Sequence, residues 1–312
     1  VTVARRGFKG LVGILPRRRA PVAEMASDLG YDAAMAERLR QGGLGRVPVD
    51  EQRPVAGLIG EALADLTQVT GRLAGQVGLV VLAHSVTMLA PGGCDPVAAA
   101  LDAVGLDAVP RLAISGQPCA ILHFAVARAA ALLGSLPPGR GVLVIGADKA
   151  WRDQDRLFFG SAMGDCVIVG LLTAAGASHQ VLASASLSRI VACDGEDSPS
   201  DAIGRFRDIS PFHLRDTVQS CLADAGCQLS DLAWIAPHTP HHAMWDTMCA
   251  ALRFPRERVL THLLAETGHL NSNDSFFHYL QAAADGLVRR GDLVLLVNPG
   301  FGGTWGCTLM RR

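Results

Sequence analysis

Cys119 lies in ISGQPCAILHFAVARAAALL, residues 114–133. Gly116 and Pro118 interrupt any helix before it, and Leu122, Ala125, Val126, Ala129 and Ala130 recur at helical spacing after it. The thiol therefore falls at or beside the first turn of an apolar helix. Unpaired backbone N–H groups and the positive end of the helix dipole favour negative charge there, the setting in which a cysteine turns nucleophilic. A small packed core cysteine is the competing reading.

Three further loops carry reactive residue types. In ETGHLNSNDSFF (266–277), Gly268 ends one segment and Ser272 or Asp274 caps a helix starting near 275. His269 and Asp274 thus share one tight loop. If it turns back, the carboxylate fixes the imidazole tautomer, and cysteine plus an acid-oriented histidine is the general form of an activated nucleophile. Taken alone, a turn-forming aspartate and a satisfied histidine are the commoner reading of such a pair. In PHTPHH (237–242), His238, His241 and His242 lack a further acidic or thiolate ligand at a recognised spacing, so no metal is expected. His241 and His242 are expected at a pocket wall or the surface, opening a helix beside Trp245. NPGFGGTWG (298–306) has glycines at 300, 302, 303 and 306. They allow positive φ and close backbone approach, suited to holding an oxyanion or to a tight interior turn. His123, four residues after Cys119, reads as a packed helix residue. Phe158, Phe159, Phe276, Phe277 and Tyr279 read as core or pocket lining.

These loops need a scaffold. The chain has 312 residues, 49% hydrophobic and 18% charged, with net charge −1, the profile of a globular protein with a large interior. No apolar run approaches the ~20 residues that span a bilayer, no signal peptide is recognised, and no phosphate loop, dinucleotide fingerprint or basic nucleic-acid patch is present. Arg17, Arg18 and Arg19 read as a solvated loop. The eight cysteines form no CxxC pair, which fits a reducing cytoplasm.

Apolar runs alternate with helical patterns, indicating an α/β layered fold. Strands are expected at 78–84, 141–147, 166–172, 232–237 and 292–298, after a first strand near the start. Helices are expected at 55–70, 94–104, 119–134, 211–225, 241–253 and 275–290. LVVLAHS (79–85) is echoed by LAWIAPHT (232–239), and GVLVIGAD (141–148) by GDLVLLVNPG (291–300). The pattern reads as an internal duplication, residues 1–175 and 176–312. The polar stretch 193–211 reads as a surface loop, a lid or an interface element.

The chain resembles the thiolase superfamily, and within it the type III ketoacyl-ACP synthases. The motifs are SGQPCA at Cys119, GADKAW (146–151), MGDCVIV (163–169), WIAPH (234–238) and GFGGTWG (300–306). The resemblance implies a five-layered αβαβα fold of two duplicated halves, and a homodimer. It makes Cys119 the acyl-accepting cysteine, with its N–H and that of Gly302 as the oxyanion hole. It places His238 at the first active-site histidine and Arg152, beside Trp151, at the carrier or CoA entrance. Ordinary members have an HGN- or GN-type turn before the penultimate helix; here the turn reads GHLNSND. That resembles a divergent GHxxxxD branch containing acyltransferases that make esters or amides in natural-product pathways, and priming ketosynthases for aromatic polyketides. Asn271 and Asn273 are candidates for the ordinary amide donor.

The resemblance therefore implies transfer of an acyl group from acyl-ACP or acyl-CoA, through Cys119, to a small-molecule hydroxyl or amine. His269 and Asp274 act as the base pair, and no bound cofactor is needed beyond the thioester carrier. An ionised aspartate accepts hydrogen bonds and cannot donate one, so it suits orienting a base better than holding an enolate. The alternatives are a priming ketosynthase that condenses with malonyl-ACP, and a non-catalytic partner subunit of a ketosynthase heterodimer.

Overall fold

Strands buried on both faces read as continuous apolar runs, and such runs build the core of this protein. A computed structural model describes residues 6–85, 95, 97–158, 160–192 and 194–312. In the first part of the chain the elements are β1 (Gly7–Ile14), β2 (Arg19–Pro21), α1 (Val22–Asp28), α2 (Ala33–Gln41), β3 (Arg46–Pro48), α3 (Val55–Thr70), β4 (Val77–Ala83), α4 (Ala98–Asp102), β5 (Arg111–Ile114), α5 (Ile121–Leu132), β6 (Gly141–Asp148), β7 (Leu157–Phe158), β8 (Ser161–Ala162) and β9 (Cys166–Thr173). There follow β10 (His179–Ser188), α6 (Ser200–Asp224), β11 (Trp234–Pro237), α7 (His242–Leu252), α8 (Leu264–Thr267), α9 (Asp274–Ala284), β12 (Leu293–Gly300) and β13 (Thr304–Arg311).

Nine strands join in the order β11-β12-β13-β10-β1-β9-β6-β4-β5. Among the described residues, the strands up to β9 and those from β10 onward pair where Gly7 faces Gln180 and Phe8 faces His179. Each part mixes parallel and antiparallel pairing: β4 runs parallel to β5 and β6, and β11 parallel to β12, with the remaining neighbours antiparallel. Helix α5 touches β4 and β6 on one side and β10 and β13 on the other, while α9 touches β1, β11 and β12. These two helices form the middle layer. Helices α3 and α4 cover the outer face of the first sheet part, and α6 and α7 that of the second. The result is the expected αβαβα layering. Helix α5 suits its place because an apolar helix with Ala125, Ala129 and Ala130 buried lets both sheets approach.

Helix α6 departs from expectation. It starts at Ser200 and continues through Pro211 to Asp224, where a loop to 211 and a helix from 211 are predicted. An internal proline costs ~3 kcal/mol, and tertiary contacts offset it here. Phe206 meets the Phe301 ring at 5.0 Å and the Trp305 ring at 6.1 Å, and Trp305 Nε1 donates to Ser210 Oγ at 3.0 Å. The 193–211 stretch is thus helical from Ser200 and lies at the surface, with Ser210 buried and Cys193 outside the described residues. The helix predicted at 94–104 shortens to α4, and Cys94 also lies outside the described residues. The last predicted helix ends at Ala284, ahead of Gly286 at φ +76°. No helix among the described residues is long and apolar enough to cross a membrane.

Candidate active site

The nucleophile turn is built by backbone strain. Cys119 has φ +35°, a left-handed value unusual for a residue with a side chain. Ala120 N–H donates to Pro118 O, closing a three-residue turn around it. Helix α5 then starts at Ile121 with no side-chain cap, leaving its first N–H groups beside the thiol. The β12–β13 hairpin abuts this turn: Thr304 Oγ1 donates to Pro118 O at 3.3 Å, and a Cβ on Gly300 would sit 2.3 Å from the same oxygen. Only glycine allows that approach. Gly302, the glycine expected at the oxyanion hole, has φ +88° and its carbonyl accepts from Val191 N at 2.8 Å.

His269 is held by the β7–β8 hairpin. Its N–H donates to Ala162 O at 2.8 Å and its carbonyl accepts from Gly164 N at 2.9 Å. Gly268, at φ +57°, lets the chain reach this position, since a Cβ there would lie 2.4 Å from Val47 Cγ1 and 2.6 Å from Ala162 O. The imidazole Nε2 lies 3.6 Å from Cys119 Sγ, and Nδ1 lies 2.6 Å from Asp274 Oδ2. The sequence-predicted triad is therefore assembled. It is almost dry: Cys119 is 7% exposed, His269 1% and Asp274 0%. The Phe158 ring lies 5.8 Å from that of His269.

Asp274 opens α9 and is saturated with donors. Oδ1 accepts from Leu270 N at 2.7 Å and Thr239 Oγ1 at 3.1 Å, and Oδ2 accepts from Thr239 N at 2.9 Å besides His269. Burial disfavours its charge, but His269 and His238 outweigh burial and hold the carboxyl well below the usual range. In the same way burial opposes charge on His269, yet Asp274 and then the Cys119 thiol lift it from 6.5 to about 10.

His238 stands with its ring perpendicular to His269, centroids 4.5 Å apart. Its Nδ1 is 3.2 Å from Asp274 Oδ2, out of line for a hydrogen bond and without another partner. Burial and then the charge on His269 lower it to about 4, so it is neutral. Cys119, His238 and His269 each present a donor atom within 4.8 Å of the others, enough to hold a metal ion. PHTPHH otherwise divides. His241 caps α7 by accepting from Met244 N, and His242 opens that helix.

The other sequence-predicted residues take different places. Asn273 Nδ2 donates one of its two N–H groups to Cys166 O at 3.1 Å, which ties the loop to β9. Asn271 has φ +52°, and its buried backbone carbonyl accepts from Asn298 Nδ2 at 3.1 Å. Trp151 is 53% exposed and Arg152 pairs with Asp155 at 2.9 Å on the surface loop after β6. His123 is a satisfied core histidine between Asn298 Oδ1 and Thr308 Oγ1, at 3.0 and 2.9 Å. Phe276 and Tyr279 belong to the central core, Phe277 packs against it, and Phe159 lies outside the described residues.

Sequence reasoning missed Thr239, His278 and Asp148. Because ionised Asp274 only accepts, the Thr239 hydroxyl donates to it and must accept from His278 Nε2, 3.2 Å away. That fixes the His278 tautomer and gives a directed chain His278–Thr239–Asp274–His269–Cys119. Asp148, buried at the end of β6, accepts from Ser272 N and Oγ and from Ser85 N and Oγ, clamping the histidine loop. The four-residue step from Asp274 to His278 was the one available signal, since it puts both on one helix face.

Residues 222–312 match the family described as 3-oxoacyl-[acyl-carrier-protein] synthase III C terminal. A β-ketoacyl-[acyl-carrier-protein] synthase III of Rhizorhabdus wittichii is 26% identical, over 97% of this chain and 98% of its own. Among solved structures, ChlB3, described as an acyltransferase, superposes with TM-score 0.84 at 23% identity, covering 98% of this chain and 97% of its own. The 3-oxoacyl-[acyl-carrier-protein] synthase III of Aquifex aeolicus does so at 0.81 and 19% identity, covering 98% and 100%. Residues 222–312 thus match a type III ketoacyl-ACP synthase family, and the chain as a whole is similar to such synthases and shares their layered fold around a buried cysteine–histidine pair.

Proposed function

We propose that the protein is an acyltransferase that moves an acyl group from a carrier-protein or CoA thioester, through Cys119, to a hydroxyl or amine acceptor in natural-product biosynthesis of the polyketide or antibiotic type. The observation that carries this reading is the saturated Asp274 behind His269. Its four accepted hydrogen bonds fix it as an acceptor, so it orients a base and donates nothing to an enolate.

The proton cycle closes on the groups present. The Cys119 thiolate attacks the thioester carbonyl while His269 is imidazolium. Collapse expels the carrier thiolate, which takes the His269 proton, leaving an acyl-enzyme and a neutral imidazole. The thiol contributes to the elevation of His269, so acylation favours that neutral state. His269 then takes the acceptor's proton as its oxygen or nitrogen attacks, and expulsion of the Cys119 thiolate restores the starting pair. The oxyanion of both steps is assigned to the N–H groups of Cys119 and Gly302. Trp151 and Arg152 are assigned to the carrier entrance. The cycle uses no bound cofactor, and the working form is proposed to be a homodimer.

A priming ketosynthase is the second reading, favoured by the neutral His238 beside the thiol, which can donate to an enolate. CO₂ release from malonyl-ACP with an acyl-CoA present separates the two. No release, with an ester or amide formed on an added acceptor, is expected; stoichiometric release favours condensation and overturns the first reading. A non-catalytic subunit is disfavoured by the retained Cys119, His269 and Asp274.

A further inference from the structure

We propose that Cys119, His238 and His269 form an inhibitory binding site for a zinc-like divalent ion. PHTPHH lacks a thiolate ligand at metal spacing, but the fold supplies one from a turn more than a hundred residues away. The three donor atoms lie within 4.8 Å of one another, and all three residues are buried.

The geometry suits a tetrahedral ion. Zinc bonds of ~2.3 Å to sulfur and ~2.0–2.1 Å to nitrogen, set at a tetrahedral angle, separate S and N by ~3.6 Å. Cys119 Sγ and His269 Nε2 are 3.6 Å apart. The carboxylate–histidine support found behind zinc ligands is already in place, since Asp274 holds His269 Nδ1 at 2.6 Å and leaves Nε2 for the ion. His238 meets His269 edge-on, centroids 4.5 Å apart, and brings a second imidazole nitrogen within 4.8 Å of the other two donor atoms. Thiolate with two imidazoles favours zinc over the hard ions calcium and magnesium. With three protein ligands, the fourth position stays open to water.

Binding to the thiolate–imidazolium pair replaces the single proton on His269 Nε2 with a metal–nitrogen bond and releases it to solvent, while the thiolate lone pair bonds the ion directly, with no change of oxidation state. The ion would occupy the nucleophile's lone pair and the base together. Inhibition rests on the proposed acyl transfer; binding does not.

The test is titration of the reduced chain with Co²⁺, followed by Zn²⁺. One Co²⁺ per chain is expected, with thiolate-to-cobalt charge-transfer absorption and the intense visible bands of tetrahedral cobalt, both removed by one equivalent of Zn²⁺. Zn²⁺ should also protect Cys119 from iodoacetamide. Cys119→Ser should lose the charge-transfer band. His238→Gln, which keeps a polar side chain in the buried position, should weaken binding at least tenfold. Cys227→Ser, at the half-buried cysteine, should change neither. A full band in Cys119→Ser, unchanged affinity in His238→Gln, or no stoichiometric binding overturns the site. Acyl transfer that continues with Zn²⁺ bound overturns inhibition alone. Binding without any acyl transfer leaves the site standing and counts against the proposed function.

Discussion

At the residue scale, the proposed function turns on one aspartate serving two demands. Asp274 must stay ionised in a dry interior and must hold His269 in the tautomer that faces Cys119. Four donors meet the first demand, and the 2.6 Å contact to Nδ1 meets the second. Asp274→Asn should slow transfer to the acceptor by ~10²–10⁴-fold, by analogy with the orienting acid of other triads, with acyl-enzyme formation less affected; single-turnover kinetics of the two steps checks this, and undiminished turnover contradicts it. Thr239→Val removes one donor from a buried carboxylate, a loss of ~1–3 kcal/mol. Slower turnover and a changed pH profile are expected, while a merely structural role for the hydroxyl would lower stability and leave the pH profile unmoved. Cys119, His269 and Asp274 were legible in the sequence because each sits on a short loop punctuated by glycine, proline or a helix start. Thr239 and His278 were not, because their roles exist only once β11 and α9 are side by side.

At the element scale, the loops are placed by hairpins and by the middle-layer helices. The β7–β8 hairpin carries the backbone of His269, and Gly268 is the hinge that fits beneath it. Gly268→Ala puts a methyl group against a backbone carbonyl at positive φ. It should lower both the melting temperature and acyl transfer; a variant with unchanged activity shows that His269 is positioned by other contacts. Strands such as GVLVIGAD and CVIVGLLT announced themselves because both faces are buried. Strand β10, HQVLASASLS, did not, because small polar residues alternate through it and its partner β13 supplies the bulk. Helix α6 was obscured by Pro211. The β2–β3 pair with α1, α2 and α8, packed around Val47 and Leu264, lacked any long periodic run.

At the scale of the whole molecule, the buried histidines set the response to pH. His123, His238 and His278 are each lowered by burial to about 4. An unfolded chain takes up their protons near 6.5, so it binds more protons than the folded one between the two values. Stability should therefore fall as pH drops from about 6.5 towards 4. His269 acts in the opposite sense. Raised to about 10, it contributes stability that is complete below 6.5 and lost as pH rises through 10. Denaturant unfolding between pH 4 and 10 should give a maximum near neutrality, and a flat profile below pH 6.5 contradicts the neutral buried histidines. The layered architecture was readable from alternating strands and helices, whereas the joining of the two sheet parts through β1 and β10 was not.

The central claim is that the acyl group rests on Cys119 between donor and acceptor. Peptide mapping by mass spectrometry after incubation with an acyl-CoA panel tests it most directly. The peptide containing Cys119 should carry one acyl group, lost on adding a competent acceptor and absent in Cys119→Ala. An adduct that survives the substitution, or product formed with no adduct on this peptide, contradicts it.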